Sequence, residues 1–112
     1  MEELARIGVT HAIRIGSCGA LQKEIRLGDL ILMQGAVRDE GTSRTYIDSI
    51  YPAIPDFELM NACVEAAEEE QIPAHVGMAR SHDSFYTDRE DEIDALWAGR
   101  GVLGCDMEPA AL

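Results

Sequence analysis

Apolar residues along the chain fall into two kinds of run, short continuous stretches and stretches spaced three and four residues apart. The first kind marks strands and the second marks helices. Glu2 to Ile7 has helical composition and is closed by Gly8 at a C-cap position, so it reads as the tail of a helix. His11 to Ile15 reads as a strand running into the small-residue turn Gly16-Ser17-Cys18-Gly19. After the turn at Gly28 and Asp29, Leu30 to Val37 is almost continuously apolar, the pattern of a strand covered on both faces. Arg38 to Tyr51 follows neither period and is predicted to be a long loop, a kind of segment that tends to carry function.

Asp56 is placed to cap a helix in which Met60, Val64 and Ala67 recur on one face until about Gln71. Pro73 opens a third strand through His75, Val76, Met78 and Ala79, ending in the polar cluster Ser81-His82-Asp83-Ser84 and then Phe85-Tyr86. Asp88 to Ala98 has the acidic start and apolar Ile93, Leu96 and Trp97 of another helix, stopped by Gly99 and Gly101. Val102 to Cys105 is a fourth short strand, and Asp106-Met107-Glu108 is predicted to begin a further helix with Pro109 in its first turn. Strands alternating with helical crossovers predict an α/β domain with a mainly parallel or mixed sheet, in which ligands collect beyond the carboxyl ends of strands. The opening at a helix end and the close at Leu112, within an apolar segment, lead us to expect residues 1–112 to be a single, partial domain.

Composition narrows the function. The 112 residues carry a formal net charge of −12, which repels phosphate backbones and anionic headgroups and argues against nucleic-acid and membrane-surface roles. Apolar residues at 46% and charged residues at 27% are ordinary globular usage. The acidic start Met1-Glu2-Glu3 does not resemble a secretory signal, so a cytoplasmic location is expected. Cys18, Cys63 and Cys105 are widely spaced and odd in number, which suits reduced thiols rather than disulfides or a zinc site. His75 and His82 lack neighbours at ligand spacing, so no metal is expected.

Three segments could carry chemistry. Arg14, Gly16 and Ser17 combine a fixed cation, a hydroxyl and glycine-exposed backbone N–H groups, the ingredients of an anion cradle, although a strand-terminal turn with a surface arginine has the same composition. Asp106 and Glu108 offer two carboxylates around Met107, although acidic residues also favour any helix N-terminus. Phe85 and Tyr86 could form a platform for a planar ring, and His82 could exchange a proton. Consecutive Ser81-His82-Asp83 is no hydrolase triad, whose members come from distant segments.

The order RIGSCGAL, LGDLIL, VRDEGTS with YPAIPDFEL, HDSFY and GVLGCDMEPAAL resembles the hexameric nucleoside phosphorylases, the group of uridine phosphorylase and bacterial-type purine nucleoside phosphorylase. The resemblance is collinear over the whole chain. It implies a three-layer fold with a central mixed, mostly parallel sheet flanked by helices, and phosphorolysis of a nucleoside to free base and ribose 1-phosphate. Inorganic phosphate would be the co-substrate, and neither metal nor organic cofactor would be required. Arg14, Gly16 and Ser17 match the family's phosphate-binding residues, Phe85 the aromatic against base and sugar, and Met107 and Glu108 the pair whose glutamate binds the ribose hydroxyls. Asp106 stands where the family usually has a glutamate.

The resemblance also implies what this sequence lacks. Family members extend beyond both ends of the match, and the residue that assists the departing base lies outside these residues. The catalytic acid is therefore unknown here, and turnover by this chain alone is an open expectation. The Gln-x-Arg uracil clamp of uridine phosphorylases is absent, its place taken by Thr87-Asp88-Arg89-Glu90-Asp91, so purine and pyrimidine both stay open. Two other readings stand beside the phosphorylase: a non-catalytic remnant that binds ribose phosphate or only self-associates, and a nucleosidase, against which the phosphate-type Arg14 and Ser17 argue. Intact family members form trimers of dimers, so a homo-oligomer is expected.

Overall fold

The computed structural model describes residues 1–112. Its elements, in chain order, are α1 (Glu2–Arg6), β1 (Gly19–Ala20), β2 (Leu30–Asp39), a single 3-10 turn (Ser43–Thr45), α2 (Phe57–Glu69), β3 (Ala74–His82), α3 (Glu90–Ala98) and β4 (Gly104–Asp106). The strands form one mixed sheet in the order β1-β4-β3-β2, with β2–β3 and β3–β4 parallel and β1–β4 antiparallel. This is the α/β class expected, a mostly parallel sheet flanked by helices. No helix is long and apolar enough to cross a membrane.

The sheet is anchored by β2 and β3, which pair from Leu30↔Ala74 to Asp39↔His82 with one bulge between Met33 and Gly35. Near their carboxyl ends Arg80 reaches across to Asp39, its Nε and Nη2 both 2.9 Å from Oδ2. Packing along β3 depends on small residues. A Cβ at Gly77 would come within 2.6 Å of the Leu103 side chain, so the segment before β4 can lie this close only to a glycine. Ala79 is fully buried and Ala36 and Ala67 nearly so, which brings backbones near one another. Helix α2, capped by Asp56 Oδ1 accepting the Leu59 N–H at 2.9 Å, lies against β2 and β3.

Three expectations are corrected. His11–Ile15 is not a strand: Ile13 and Ile15 are 59% and 90% exposed, and pairing begins only at Gly19. A strand exists where a neighbour takes up its N–H and C=O groups, and β4, three residues long, reaches only Gly19 and Ala20. Nor does a helix begin at Asp106. The chain makes one turn there, closed by the Ala111 N–H donating to the Glu108 carbonyl at 2.9 Å, because a single hydrogen bond does not offset the entropy of nucleating a helix. The loop predicted from Arg38 starts at Glu40 instead, since Arg38 and Asp39 continue the β2 ladder.

Only 11 residues are buried, and several large apolar side chains lie open, among them Ile15, Leu27, Ile50 and Phe57. Strand positions such as Val76, 47% exposed, are open too, although a parallel sheet is ordinarily covered on both faces.

Candidate functional site

The carboxyl end of β4 and the extended segment before β1 meet, because antiparallel pairing of Gly19 with Cys105 sets residues 14–18 beside residues 106–108. Arg14 sits at the centre of this junction. Its Nη1 donates to Asp106 Oδ2 and its Nη2 to Glu108 Oε2, the latter at 2.6 Å. The partners lie 92 and 94 residues away in sequence. The guanidinium rests over Gly16, where an added Cβ would stand 3.1 Å from both terminal nitrogens and press the cation aside by a few tenths of an ångström. Pairing with Asp106 holds the Arg14 pKa above its ordinary value, and the group stays charged.

Asp106 has a second task. Its Oδ1 accepts the N–H of Met107 at 2.8 Å, while Oδ2 holds Arg14, so one carboxylate fixes both the cation and the start of the turn. The Met107 carbonyl is held as well, by the Ser81 hydroxyl, which donates to it at 3.0 Å. Ser81 is fully buried at the carboxyl end of β3. Sequence reading placed Ser81 only within a possible proton-exchanging cluster and missed this role. The signal was its register: Gly77, Ala79 and Ser81 share one face of a strand, and a hydroxyl on a buried face requires a partner.

The structure thus gathers Arg14, Gly16, Asp106, Met107 and Glu108. Ser17 follows on the same segment with its side chain exposed. Cys18 lies beside the cluster, its thiol pushed up by burial and further by the Asp106 charge, and therefore protonated. All three cysteines are free.

Phe85 belongs to a different local structure. Its ring is 66% exposed and meets Tyr86 edge-on with centroids 5.0 Å apart. The turn carrying it is closed by its own residues: His82 Nδ1 lies 2.9 Å from the Ser84 carbonyl, and the Ser84 hydroxyl donates to the Tyr86 carbonyl at 2.7 Å. Asp83 ties this turn to the loop after β2, accepting the Gly41 N–H at 3.1 Å on Oδ2. That loop is organised from within. Arg38 donates to the Ser43 hydroxyl and to the carbonyls of Ile47, Asp48 and Tyr51, while Glu40 accepts from the Ser43 N–H and hydroxyl. Burial pushes the Glu40 pKa up, but these hydrogen bonds outweigh it and the net shift is downward. His75 and His82 stand at opposite ends of β3, His75 Nε2 lying 2.9 Å from Asp29 Oδ2.

A cleft of about 650 Å³ opens elsewhere, lined by Arg38, Tyr46, Tyr51 and Ala110 among others. Its arginine, Arg38, has its donors committed to the loop. The chemistry of the Arg14 cluster, rather than concavity, identifies the candidate site. A guanidinium fork facing two carboxylates can hold an anion on one side and a vicinal diol on the other.

A sequence profile described as the Phosphorylase superfamily matches residues 1–112. Guanosine phosphorylase of Halorubrum lacusprofundi is 39% identical over 112 residues, covering all of this chain and 46% of that protein. Uridine phosphorylase of Thermococcus kodakarensis is 50% identical over 86 residues, covering 77% of this chain and 31% of that protein. The crystal structure of uridine phosphorylase from Vibrio fischeri superposes with a TM-score of 0.96 at 50% identity, covering 99% of this chain and 46% of that one. The chain spans about half the length, or less, of the relatives it matches.

Proposed function

The chain belongs to the phosphorylase superfamily, and from that premise we propose that Arg14, Asp106 and Glu108 form the phosphate- and ribose-binding part of a nucleoside phosphorylase. The observation that carries this reading is the forked contact of Arg14 with two carboxylates more than 90 residues away. Arg14, the backbone at Gly16 and the hydroxyl of Ser17 hold the phosphate. Glu108, oriented through Met107, accepts hydrogen bonds from the ribose hydroxyls, and Phe85 packs against the base. Phosphate attacks the anomeric carbon as the glycosidic bond to the base breaks, giving ribose 1-phosphate and free base. The ribosyl ring becomes cation-like in this step, so a dianion fixed by Arg14 acts both as nucleophile and as counter-charge. Protonation of the departing base is assigned to no residue of this chain.

Residues 1–112 would then be one portion of a phosphorylase domain, working in the cytoplasm within a homo-oligomer, without a metal or organic cofactor. The open apolar side chains support association. Relatives include both a guanosine and a uridine phosphorylase, so the substrate class proposed is a nucleoside without choice of base. A second reading is a ribose-phosphate binder without turnover, which the Arg14, Asp106 and Glu108 cluster supports without a proton donor for the base.

The test is incubation of the purified chain with uridine, guanosine, inosine and adenosine, with and without phosphate, following free base by chromatography and ribose 1-phosphate binding by calorimetry. Phosphate-dependent release supports the phosphorylase. Binding without release supports the second reading, and neither binding nor release overturns both.

A further inference from the structure

We propose that Ser81 is a positioning residue for the diol-binding carboxylate, an inference that rests on the reading of Glu108 as the ribose ligand. The last rung of the β3–β4 ladder pairs Ser81 with Asp106, after which the backbone of β4 turns away. At that point the Ser81 hydroxyl takes over from the ladder and donates to the Met107 carbonyl at 3.0 Å. The N–H of the same residue is held by Asp106 Oδ1 at 2.8 Å. Both polar groups of Met107 are thereby fixed, which leaves the turn little freedom and sets the direction in which Glu108 leaves it. The Glu108 side chain is half exposed, and its only tie is to Arg14 Nη2. The geometry of a solvent-facing carboxylate is thus set from beneath by a fully buried hydroxyl.

The energetic case follows from burial. Ser81 is 0% exposed, so its hydroxyl has no water to turn to, and its bond to Met107 is made in an environment where an unpaired carbonyl is costly. Replacing Ser81 by alanine removes the donor with almost no change of shape. The carbonyl of Met107 then turns to find water, and the turn carrying Glu108 moves with it. The phosphate ligands Arg14, Gly16 and Ser17 lie on the segment before β1, which Ser81 does not bond.

The chain with Ser81→Ala, Ser81→Thr, Glu108→Gln and the double change Ser81→Ala/Glu108→Gln is titrated calorimetrically with α-ribose 1-phosphate and with inorganic phosphate. Arg14 Nη resonances are followed in parallel, since a forked ion pair slows guanidinium rotation and separates them. Ser81→Ala is expected to weaken ribose 1-phosphate about tenfold, the loss of one buried hydrogen bond, and phosphate less than twofold. Ser81→Thr, which keeps the hydroxyl, restores binding, and Ser81→Ala adds nothing once Glu108 is Gln. Equal weakening of both ligands, additive losses in the double variant, or unchanged ribose 1-phosphate binding would overturn the proposal. If the parent chain binds neither ligand, the phosphorylase reading fails, and the resonances decide Ser81 separately. Merging of the Arg14 Nη signals in Ser81→Ala sustains the positioning role, and unchanged signals overturn it.

Discussion

At the carboxyl end of β4, Arg14, Asp106 and Glu108 bind one another across more than 90 residues of sequence, whereas in the turn after β3 the Phe85 ring is 66% exposed with Tyr86 beside it. Opposite charges supply each other's partners, so a site made of a cation and two anions is assembled before any ligand arrives. The Phe85 ring has no such counter-charge within the chain and stays open; on the proposed function its neighbour would be the flat ring of a ligand. The assembled half also carries a cost. On the proposed function, phosphate would have to compete with two carboxylates for Arg14, while a diol engaging Glu108 would release one arm of the fork. Phosphate and ribose would then favour each other's binding, a coupling that runs equally in both directions.

This contrast can be broken most directly at its cation. Arg14→Gln is expected to weaken phosphate binding about a hundredfold, the loss of two charge-assisted hydrogen bonds, as read by calorimetry. It also leaves Asp106 and Glu108 facing each other without a counter-charge. Gly16→Val places side-chain atoms where the guanidinium rests, at 3.1 Å for the Cβ alone, and should weaken phosphate about tenfold with little loss of melting temperature. Phe85→Ala sharpens the comparison from the other side. An exposed ring contributes little to the fold, so stability in urea should change by less than about 0.5 kcal/mol, while nucleoside binding falls severalfold and phosphate binding is untouched.

The smallest effect concerns acid. Glu40, held below its ordinary pKa by Ser43, contributes stability that is present above the unfolded carboxylate value near 4.3 and lost as pH falls through the lower folded value. Because Gly41, the next residue, bonds Asp83, the Phe85 turn should loosen over the same window while the Arg14 cluster is affected less. Amide exchange of residues 83–86 against 106–108 between pH 5 and pH 3 checks this. Glu40→Gln should remove most of the difference in pH dependence.

The longer elements were legible in the sequence because each carries its signal locally. Met60, Val64 and Ala67 recur at helical spacing behind the Asp56 cap, and the apolar run from Leu30 announces a strand, although only Gly35 and Ala36 of it are buried rather than both faces being covered. What was misread depends on partners that a local pattern does not contain. His11–Ile15 has the composition of a strand and lacks a neighbour to pair with, and Asp106-Met107-Glu108 has a favourable helix start but only a single hydrogen-bonded turn, not a helix, after it. The candidate site divides the same way. Residue types at Arg14, Gly16, Phe85 and Glu108 suggested chemistry, and the family resemblance aligned them. The contact between Arg14 and Asp106 follows from strand pairing across the chain, and Ser81 was visible only once its face of β3 was known to be buried.

On the proposed function, Arg14 and Glu108 serve one ligand that is an anion at one end and a diol at the other. Calorimetric titration of the parent chain and of Glu108→Gln with α-ribose 1-phosphate and inorganic phosphate tests it most directly. The parent chain is expected to bind ribose 1-phosphate at least about tenfold more tightly than phosphate, and Glu108→Gln to abolish the difference while binding phosphate as well or better. Equal affinity for the two ligands in the parent chain, or a preference that survives Glu108→Gln, would contradict it.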